Sequence, residues 1–282
     1  MSEFTSVRID GEVLDPATAA IPVSDLGFIR GIGVFEVMRG YSGTCLRLVE
    51  HLERLQRSAD MVGITLPDPE LLSAWCTSAA QEHDETVVRL LVSIGDDLEG
   101  MSPRIVVTAE PRVAYSKPIT LFPLSAPWHS DGAEWELLRG KTLSYGNNFG
   151  AIRQAKLAGF DDALLIGRSG RILEGPTFSI GWTVEEEGGV VYETPSLSLG
   201  ILGSITRDLA FAAAADSGLE FREVEVTLDR LDLASEFFAL STLRDTLSVV
   251  AVGERTFVEG PYTVALREAI AERTARELAS IA

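Results

Sequence analysis

The chain has 282 residues, a length that predicts two domains or one unusually large one. Hydrophobic residues make up 46% and charged residues 23%, which is typical of a globular protein and excludes a disordered or collagen-like chain. Lysine and arginine number 24 against 42 aspartates and glutamates, and the resulting net charge of −18 disfavours a nucleic-acid partner. No apolar run approaches the roughly 20 residues of a membrane span, so no membrane association is expected.

Cysteine content and the N-terminal sequence bear on location. Cys45 and Cys76 are the two cysteines, too few for a disulfide framework, and no His/Cys cluster predicts a metal site. The first ten residues have neither the basic nor the apolar region of a secretory signal. A cytoplasmic, reducing location is therefore expected.

In the first half of the chain, alternating apolar residues predict strands and a three-to-four-residue spacing predicts helices. The predicted strands are 7–13, 34–39, 45–48, 87–94 and 104–108, and the predicted helices begin at Leu48 and near Pro69. Two prolines, a glycine and few apolar residues follow, which predicts a linker at 121–132.

Beyond this linker the pattern of strands and helices starts again. The predicted strands are 163–166, 178–183, 190–192, 221–226, 237–240 and 247–252, and the predicted helices are 149–157, 205–215 and 261–281. The sequence thus predicts two α/β domains, 1–120 and 133–282.

Glycines at 200 and 203 lead directly into the predicted helix at 205–215. Glycines allow close backbone approach, and a helix N-terminus offers free N–H groups and a partial positive charge, so the segment suits a phosphate. An ordinary turn with Ser204 as the helix cap explains the same residues.

Two further residues suggest chemistry without establishing it alone. Lys141 is one of three lysines in the chain, and a lysine that acts as a nucleophile needs a desolvated environment. An exposed lysine is the usual alternative. Glu174 lies in a short turn and strand, where it could equally be a surface acid.

Six short blocks occur in a fixed order along the chain. They are DLGFIRGIGVFEVMR at 25–39, HLERL with SA at 51–59, KTL at 141–143, LEG at 173–175, TP at 194–195 and ILGSITR at 201–207. Together they resemble the class IV aminotransferases, the fold-type IV family of pyridoxal 5′-phosphate (PLP) enzymes. This family includes branched-chain, D-amino acid and (R)-amine transaminases and aminodeoxychorismate lyases.

The resemblance covers about residues 4–257 and implies a fold. The expected structure is mixed α+β (α/β), with a smaller N-terminal α/β domain and a larger C-terminal domain whose strands form a pseudo-barrel. The family also implies a homodimer, with the cofactor between the two domains and a loop of the partner near the pocket.

The resemblance assigns roles to individual positions. Lys141 would form the Schiff base with the cofactor aldehyde and then move the Cα proton. Glu174 would keep the pyridine nitrogen protonated, so that the ring can accept electrons. The phosphate would be held by Arg54, the backbone N–H groups of Ile205 and Thr206, and Thr242, while Leu202 would press against the ring.

The substrate side departs from the family pattern. Ile94 replaces the arginine of the Thr-Arg-Gly found in D-amino acid enzymes and many lyases, where it helps to bind a carboxylate. Arg30, at a position that is often aromatic in relatives, would replace it, unless it is simply a surface arginine of a turn. Arg89 is the other candidate for the carboxylate, and Phe35 would form a wall of the pocket.

The resulting functional hypothesis is a transaminase that moves an amino group from an (R)-amine or a D- or branched-chain amino acid to a 2-oxo acid. The alternative is 4-amino-4-deoxychorismate lyase, which uses the same cofactor and lysine for β-elimination of pyruvate. A binding module without activity is disfavoured because Lys141, Glu174 and Arg54 are all present.

Overall fold

The computed structural model describes residues 4–129 and 136–281, and they form two compact units. The first unit contains the described chain up to Val113, the segment Gly140–Tyr145 and the C-terminal end from Ser280. The second contains Ala114–Arg139 and Gly146–Ala279.

The first unit is built on a six-stranded, fully antiparallel sheet covered on one face by helices. The strand order is β2-β1-β6-β5-β3-β4. Its strands are β1 (Ser6–Ile9), β2 (Glu12–Leu14), β3 (Gly33–Tyr41), β4 (Thr44–Cys45), β5 (Glu85–Ser93) and β6 (Arg104–Pro111), and its helices are α1 (Leu26–Arg30), α2 (Leu48–Val62) and α3 (Pro69–Ala79).

The core of the first unit lies between the sheet and the helices α2 and α3. Val34 and Met38 on β3 pack with Leu55 on α2 and Leu72 on α3, and all four are fully or almost fully buried. Since successive strand residues point to opposite faces, the residues between Val34 and Met38 divide into a core-facing set and an outward-facing set. This division places the candidate site residues described below.

The predicted strand at 7–13 is a hairpin in the structure. Asp10 and Gly11 turn the chain with φ values of +48° and +92°, so β1 ends at Ile9 and pairs back with β2. Positive φ is a conformation that glycine adopts without strain.

The second unit contains an eight-stranded mixed sheet. The strand order is β11-β10-β9-β12-β13-β7-β8, with β14 paired to β13. Its strands are β7 (Ile119–Ser125), β8 (Asp162–Ile166), β9 (Ser179–Glu186), β10 (Gly189–Pro195), β11 (Glu220–Val224), β12 (Ala234–Ser241), β13 (Asp245–Val252) and β14 (Arg255–Thr256). The helices are α4 (Gly146–Leu157), α5 (Ile205–Asp216) and α6 (Pro261–Ile281), with 3₁₀ turns at Glu136–Arg139, Leu197–Leu199 and Leu228–Leu233.

Short bridges continue this sheet beyond β8. Ile166 bridges to Ile172, the Ile172 N–H donates to the Val226 carbonyl oxygen at 2.9 Å, and Arg171 bridges to Thr227. Residues 226–227 follow β11, which is at the opposite end of the strand order from β8. These bridges therefore connect the β8 end of the sheet with the segment that follows the opposite edge strand. The predicted mixed α+β fold class is confirmed.

The linker predicted at 121–132 begins as a strand in the structure. Residues 121–125 belong to β7, which pairs in parallel with both β13 and β8, and residues 130–132 lie outside the described residues. Pro123 lacks the N–H that a central strand normally uses. It is tolerated because the pairing between β7 and β13 ends at Leu121, two residues before it. The boundary between the units falls at 113–114 rather than at 120.

Within the described residues, no helix is both long enough and apolar enough to cross a bilayer.

Candidate active site

Lys141 lies on a short segment that extends the first sheet along one edge of β3. The Phe35 N–H donates to the Lys141 carbonyl oxygen at 3.0 Å, and the Leu143 N–H donates to the Gly33 carbonyl oxygen at 2.8 Å. The Lys141 N–H donates to Oγ of the buried Ser58 on α2, also at 3.0 Å. These three hydrogen bonds hold the backbone that carries the Lys141 side chain.

The Lys141 side chain lies against two aromatic rings. Its Nζ is 4.3 Å from the centroid of the Phe35 ring and 5.8 Å from that of the Tyr145 ring. The two rings meet edge to face, with centroids 5.1 Å apart. Lys141 is half-buried, whereas Lys117 and Lys156 are exposed. Of the three lysines, Lys141 therefore has the partly desolvated environment that a nucleophilic amine requires.

Glu36, His51 and Arg54 form a buried charged cluster on the core-facing side of β3, opposite to Phe35. Arg54 donates from Nε to Oε1 and from Nη2 to Oε2 of Glu36, each at 2.7 Å. His51 donates from Nδ1 to Oε2 of the same carboxylate at 2.7 Å. His51 and Arg54 reach one carboxylate because residues three apart share a helix face.

The pKa values of this cluster follow from burial and charge. Burial raises the pKa of Glu36, but Arg54 and His51 outweigh that effect and lower it from 4.5 to about 2. Burial lowers the pKa of His51 below its usual 6.5, against the opposing effect of the Glu36 carboxylate. Near neutral pH the cluster therefore contains a carboxylate, a guanidinium and a neutral imidazole.

Sequence reasoning identified Arg54 but did not identify its partners. Glu36 stands in the GVFE part of the first block and His51 opens the second, and a buried arginine requires an anionic partner. Two of the five guanidinium N–H donors of Arg54 bond to Glu36. The assignment of Arg54 to a phosphate stays a prediction.

The turn before Arg30 is held by a buried carboxylate. Asp25 accepts hydrogen bonds from the Gly27 N–H at 2.8 Å, from Ser93 Oγ at 2.7 Å and from Arg104 Nη1 at 2.7 Å. Burial raises the pKa of Asp25, but these bonds outweigh it, so the net shift is downward. Asp25 thereby caps α1 and ties it to the strands β5 and β6.

Arg30 is the last residue of α1 and is exposed. The following residue, Gly31, has φ +69° and its carbonyl oxygen accepts a hydrogen bond from Ser144 Oγ at 2.9 Å. The structure thus places the Arg30 turn beside the segment that carries Lys141. Arg30 forms no ion pair with any residue that the structure describes.

Arg89 projects from the same face of the first sheet as Phe35. Phe35 pairs with Leu91 across β3 and β5, and Arg89 is two residues from Leu91 along β5. The Arg89 guanidinium forms an ion pair with Glu110 on β6, whose side chain is 5% exposed. Arg89 thus has an anionic partner within the first unit, and its assignment to a substrate carboxylate stays a prediction.

Glu174, in the second unit, is held beside the glycine segment that precedes α5. Its Oε1 accepts the Leu202 N–H at 3.2 Å, and its carbonyl oxygen accepts the Leu165 N–H on β8 at 2.9 Å. Gly175 follows, where an added Cβ would lie 2.2 Å from the Phe178 ring. The backbone is therefore closely packed directly after Glu174.

The N-terminus of α5 has the features of an anion site. Ser204 caps the helix by accepting the Arg207 N–H at 3.3 Å. This cap is compatible with a phosphate site and equally with an ordinary turn before the helix. The hydroxyl oxygens of Thr206 and Thr242 lie 3.5 Å apart. The Ile205 and Thr206 N–H groups belong to the first turn, where helical N–H groups have no partner in their own helix.

Comparison with known proteins identifies the class. The family model described as "Amino-transferase class IV" matches residues 33–252. A protein of Mycobacterium tuberculosis described as a bifunctional aminodeoxychorismate lyase / D-amino acid transaminase is 31% identical over 235 residues, covering 76% of this chain and 79% of that protein. The structure of a branched-chain aminotransferase from Thermoproteus uzoniensis with norvaline superposes with a TM-score of 0.86 and 26% identity, over 97% of this chain and 96% of that one.

A hypothetical aminotransferase from Mycobacterium tuberculosis, in its PLP-bound form, has the same fold, with a TM-score of 0.88 and 23% identity over 97% of this chain and all of that one. The chain belongs to the class IV aminotransferase family, whose members are PLP enzymes. It is a PLP-dependent enzyme of that family with the fold-type IV architecture that the sequence resemblance implied.

The residues present fit this cofactor. A half-buried lysine against two aromatic rings suits attachment of an aldehyde. Glu174 offers a carboxylate, and the α5 N-terminus with the Thr206 and Thr242 hydroxyls offers neutral donors to a phosphate. The chemistry of these donor groups matches the aldehyde, the ring nitrogen and the phosphate of PLP.

Proposed function

We propose that this protein transfers an amino group from an (R)-amine or a D- or branched-chain amino acid to a 2-oxo acid, with Lys141 as the residue that attaches PLP. The environment of Lys141 is the observation that carries this proposal. Its Nζ lies 4.3 Å from the Phe35 ring centroid, while both other lysines are exposed. Bound PLP supplies an electron sink for the carbanion that forms when the substrate Cα loses its proton.

Proton transfer, control of the ring nitrogen and binding of the phosphate are carried out by different residues of the protein. The Lys141 amine takes the proton from the substrate Cα. In the second half of the reaction it gives a proton to the Cα of the acceptor, which becomes the amino product. The Glu174 carboxylate keeps a proton on the ring nitrogen, and Leu202 covers the ring with an apolar side chain. The phosphate is bound by Arg54, by the N–H groups of Ile205 and Thr206, and by Thr242.

The substrate is bound by residues of the first sheet and its adjoining turn. Phe35 forms an apolar wall, since its ring already contacts the Lys141 amine. Arg30 holds the carboxylate of the 2-oxo acid, because it is exposed, lies next to the Lys141 segment and has no carboxylate partner among the described residues. Arg89 faces the more distal part of the substrate.

A second candidate function is 4-amino-4-deoxychorismate lyase, which releases pyruvate by β-elimination. It is favoured by the bifunctional lyase and D-amino acid transaminase from Mycobacterium tuberculosis at 31% identity. Both reactions use the same lysine and the same electron sink, so the residues around Lys141 fit both.

A panel of substrates on the PLP-loaded enzyme separates the two functions. Both enantiomers of 1-phenylethylamine are offered with pyruvate, and both enantiomers of alanine, together with leucine, are offered with 2-oxoglutarate. We expect the amino product from (R)-1-phenylethylamine, D-alanine or leucine, and no pyruvate from 4-amino-4-deoxychorismate. Pyruvate release from 4-amino-4-deoxychorismate, without amino transfer from any donor, would instead establish the lyase.

Replacing Arg30 tests its role as the carboxylate ligand. We expect Arg30→Ala to raise the KM of pyruvate and 2-oxoglutarate by roughly 10-fold or more, since a charge-assisted hydrogen bond is lost. The KM of (R)-1-phenylethylamine, which has no carboxylate, should change little. Arg57→Ala, at an exposed arginine of α2, is the control. An equal loss with the amine and both acceptors would assign Arg30 to the fold or the cofactor.

We also propose that the chain works as a homodimer in the cytoplasm. The family resemblance implies the dimer, and the exposed apolar side chains of Val23, Phe28 and Ile29 around α1 offer a surface that a second copy could cover. The cytoplasm is consistent with two buried cysteines that form no disulfide.

A further inference from the structure

The outward face of the first sheet carries a second charged pair, at Arg89 and Glu110. Arg89 pairs in register with Val37 on β3 and with Thr108 on β6, so Arg89, Thr108 and Glu110 share the face that carries Phe35. Along β3, Val37 is two residues, or about 7 Å, from Phe35, which contacts the Lys141 amine. Arg89 therefore lies one row of side chains from Phe35, and Glu110, which is in register with Val87, lies one row further along the same face.

Glu110 is the unusual member of this pair. It is buried, and one of its carboxylate oxygens accepts from Arg89 Nη2. Its other oxygen, Oε2, is buried and has no hydrogen-bond partner among the described residues, and neither has the buried hydroxyl of Thr108. Buried polar atoms are normally hydrogen-bonded, so the Glu110 oxygen, which can only accept, and the Thr108 hydroxyl, which can donate or accept, are both available to a group on this face.

The charge of Arg89 is compensated in this arrangement. Its side chain is 30% exposed, which leaves the guanidinium accessible to a small molecule on that face. A second carboxylate arriving there would meet a cation already paired with Glu110, together with Oε2 of Glu110, a carboxylate oxygen that can only accept hydrogen bonds. Like charges in such proximity disfavour binding.

We propose that Glu110 determines substrate specificity by neutralising Arg89, so that the enzyme discriminates against amino acceptors with a second carboxylate. This inference rests on the proposed transaminase function and deepens it, because it names the substrate class. The preferred acceptors are monocarboxylic 2-oxo acids, and 2-oxoglutarate is accepted with a lower kcat/KM. Removing the negative charge of Glu110 converts Arg89 into a binding group for the distal carboxylate.

Glu110→Gln tests the proposal with little change in side-chain volume. The measured quantity is kcat/KM for 2-oxoglutarate divided by kcat/KM for 2-oxopentanoate, which has the same carbon chain without the second carboxylate. We expect the ratio to rise roughly 10- to 100-fold, the usual gain from a charge-assisted hydrogen bond. The double variant Glu110→Gln/Arg89→Gln should lose that gain. Glu85→Gln, which removes a 44% exposed carboxylate of the same face, should leave the ratio unchanged.

A binding measurement keeps this inference separate from the proposed function. Glutarate and pentanoate are titrated into the PLP-loaded wild-type and Glu110→Gln enzymes, and glutarate should bind more tightly to the variant by a similar factor. Tighter glutarate binding without amino transfer to any acceptor would refute the transaminase while supporting the role of Glu110. Active transamination with an unchanged ratio and unchanged glutarate affinity would overturn the role of Glu110.

Discussion

Lys141→Ala should abolish turnover and release the cofactor from its covalent attachment. A positioned acid or base contributes roughly 10²- to 10⁴-fold to a rate, and the same amine also attaches PLP, so the loss should be at least about 10⁴-fold. The variant should remain folded, because the backbone hydrogen bonds to Phe35 and Ser58 do not involve the Lys141 side chain.

The attachment itself is measured independently of turnover. PLP-loaded protein is reduced with borohydride and digested, and mass spectrometry locates the peptide that carries the cofactor. We expect that peptide to contain Lys141 in the wild type and to be missing from the variant. Lys117→Ala and Lys156→Ala, both at exposed positions, are the controls and should retain activity. Cofactor on a peptide that contains Lys117 or Lys156 would refute the assignment.

Glu36→Gln should destabilise the protein more than any other single carboxylate change that we consider. It leaves the Arg54 guanidinium, with a side chain only 8% exposed, without its charged partner. Removing one member of a buried pair typically costs about 3–5 kcal/mol. The matched control is Glu85→Gln on the same sheet, whose 44% exposed carboxylate pairs with Arg39 and Arg112 and where a surface pair typically contributes about 0–1 kcal/mol. The denaturation midpoint in urea, followed by circular dichroism, measures both.

The pH dependence of stability gives a second readout for Glu36. Its pKa is about 2 in the folded protein and about 4.5 in the ordinary, unpaired state. A depressed folded-state pKa means that the carboxylate stabilises the fold above pH 4.5, and that this contribution disappears as the pH falls from about 4.5 to about 2. Glu36→Gln should therefore flatten the stability profile in that window. An unchanged midpoint and an unchanged profile would show that the cluster contributes no stability.

The ion pairs of Arg54 and Arg89 with their glutamates could not be predicted from the sequence pattern. Arg54 stands in a family block and Arg89 on a predicted strand, so both could be chosen from the sequence. Their partners, Glu36 and Glu110, are 18 and 21 residues away along the chain. An acidic residue at such a separation is one of 42 in the chain, and only the pairing of strands with a helix or another strand selects it.

Strand β7 illustrates a different limit. Pro123 argued against a central strand, since proline cannot donate a hydrogen bond. The structure accommodates it because the partner strand β13 stops pairing at Leu121. The end of the pairing with β13 depends on how the whole sheet assembles. It cannot be predicted from the composition of residues 121–132.

The sequence by itself determined the family, the mixed α+β fold class and the cofactor, because ordered blocks such as those at 25–39 and 201–207 are local and can be read without folding the chain. It also singled out Lys141, because that residue opens the KTL block of the family resemblance in a chain that has three lysines. Only the tertiary structure decided which lysine is partly desolvated, and that Glu36 and Glu110 neutralise the two arginines. Desolvation and charge pairing depend on distances between residues far apart in the chain, and these are fixed only when the strands and helices pack.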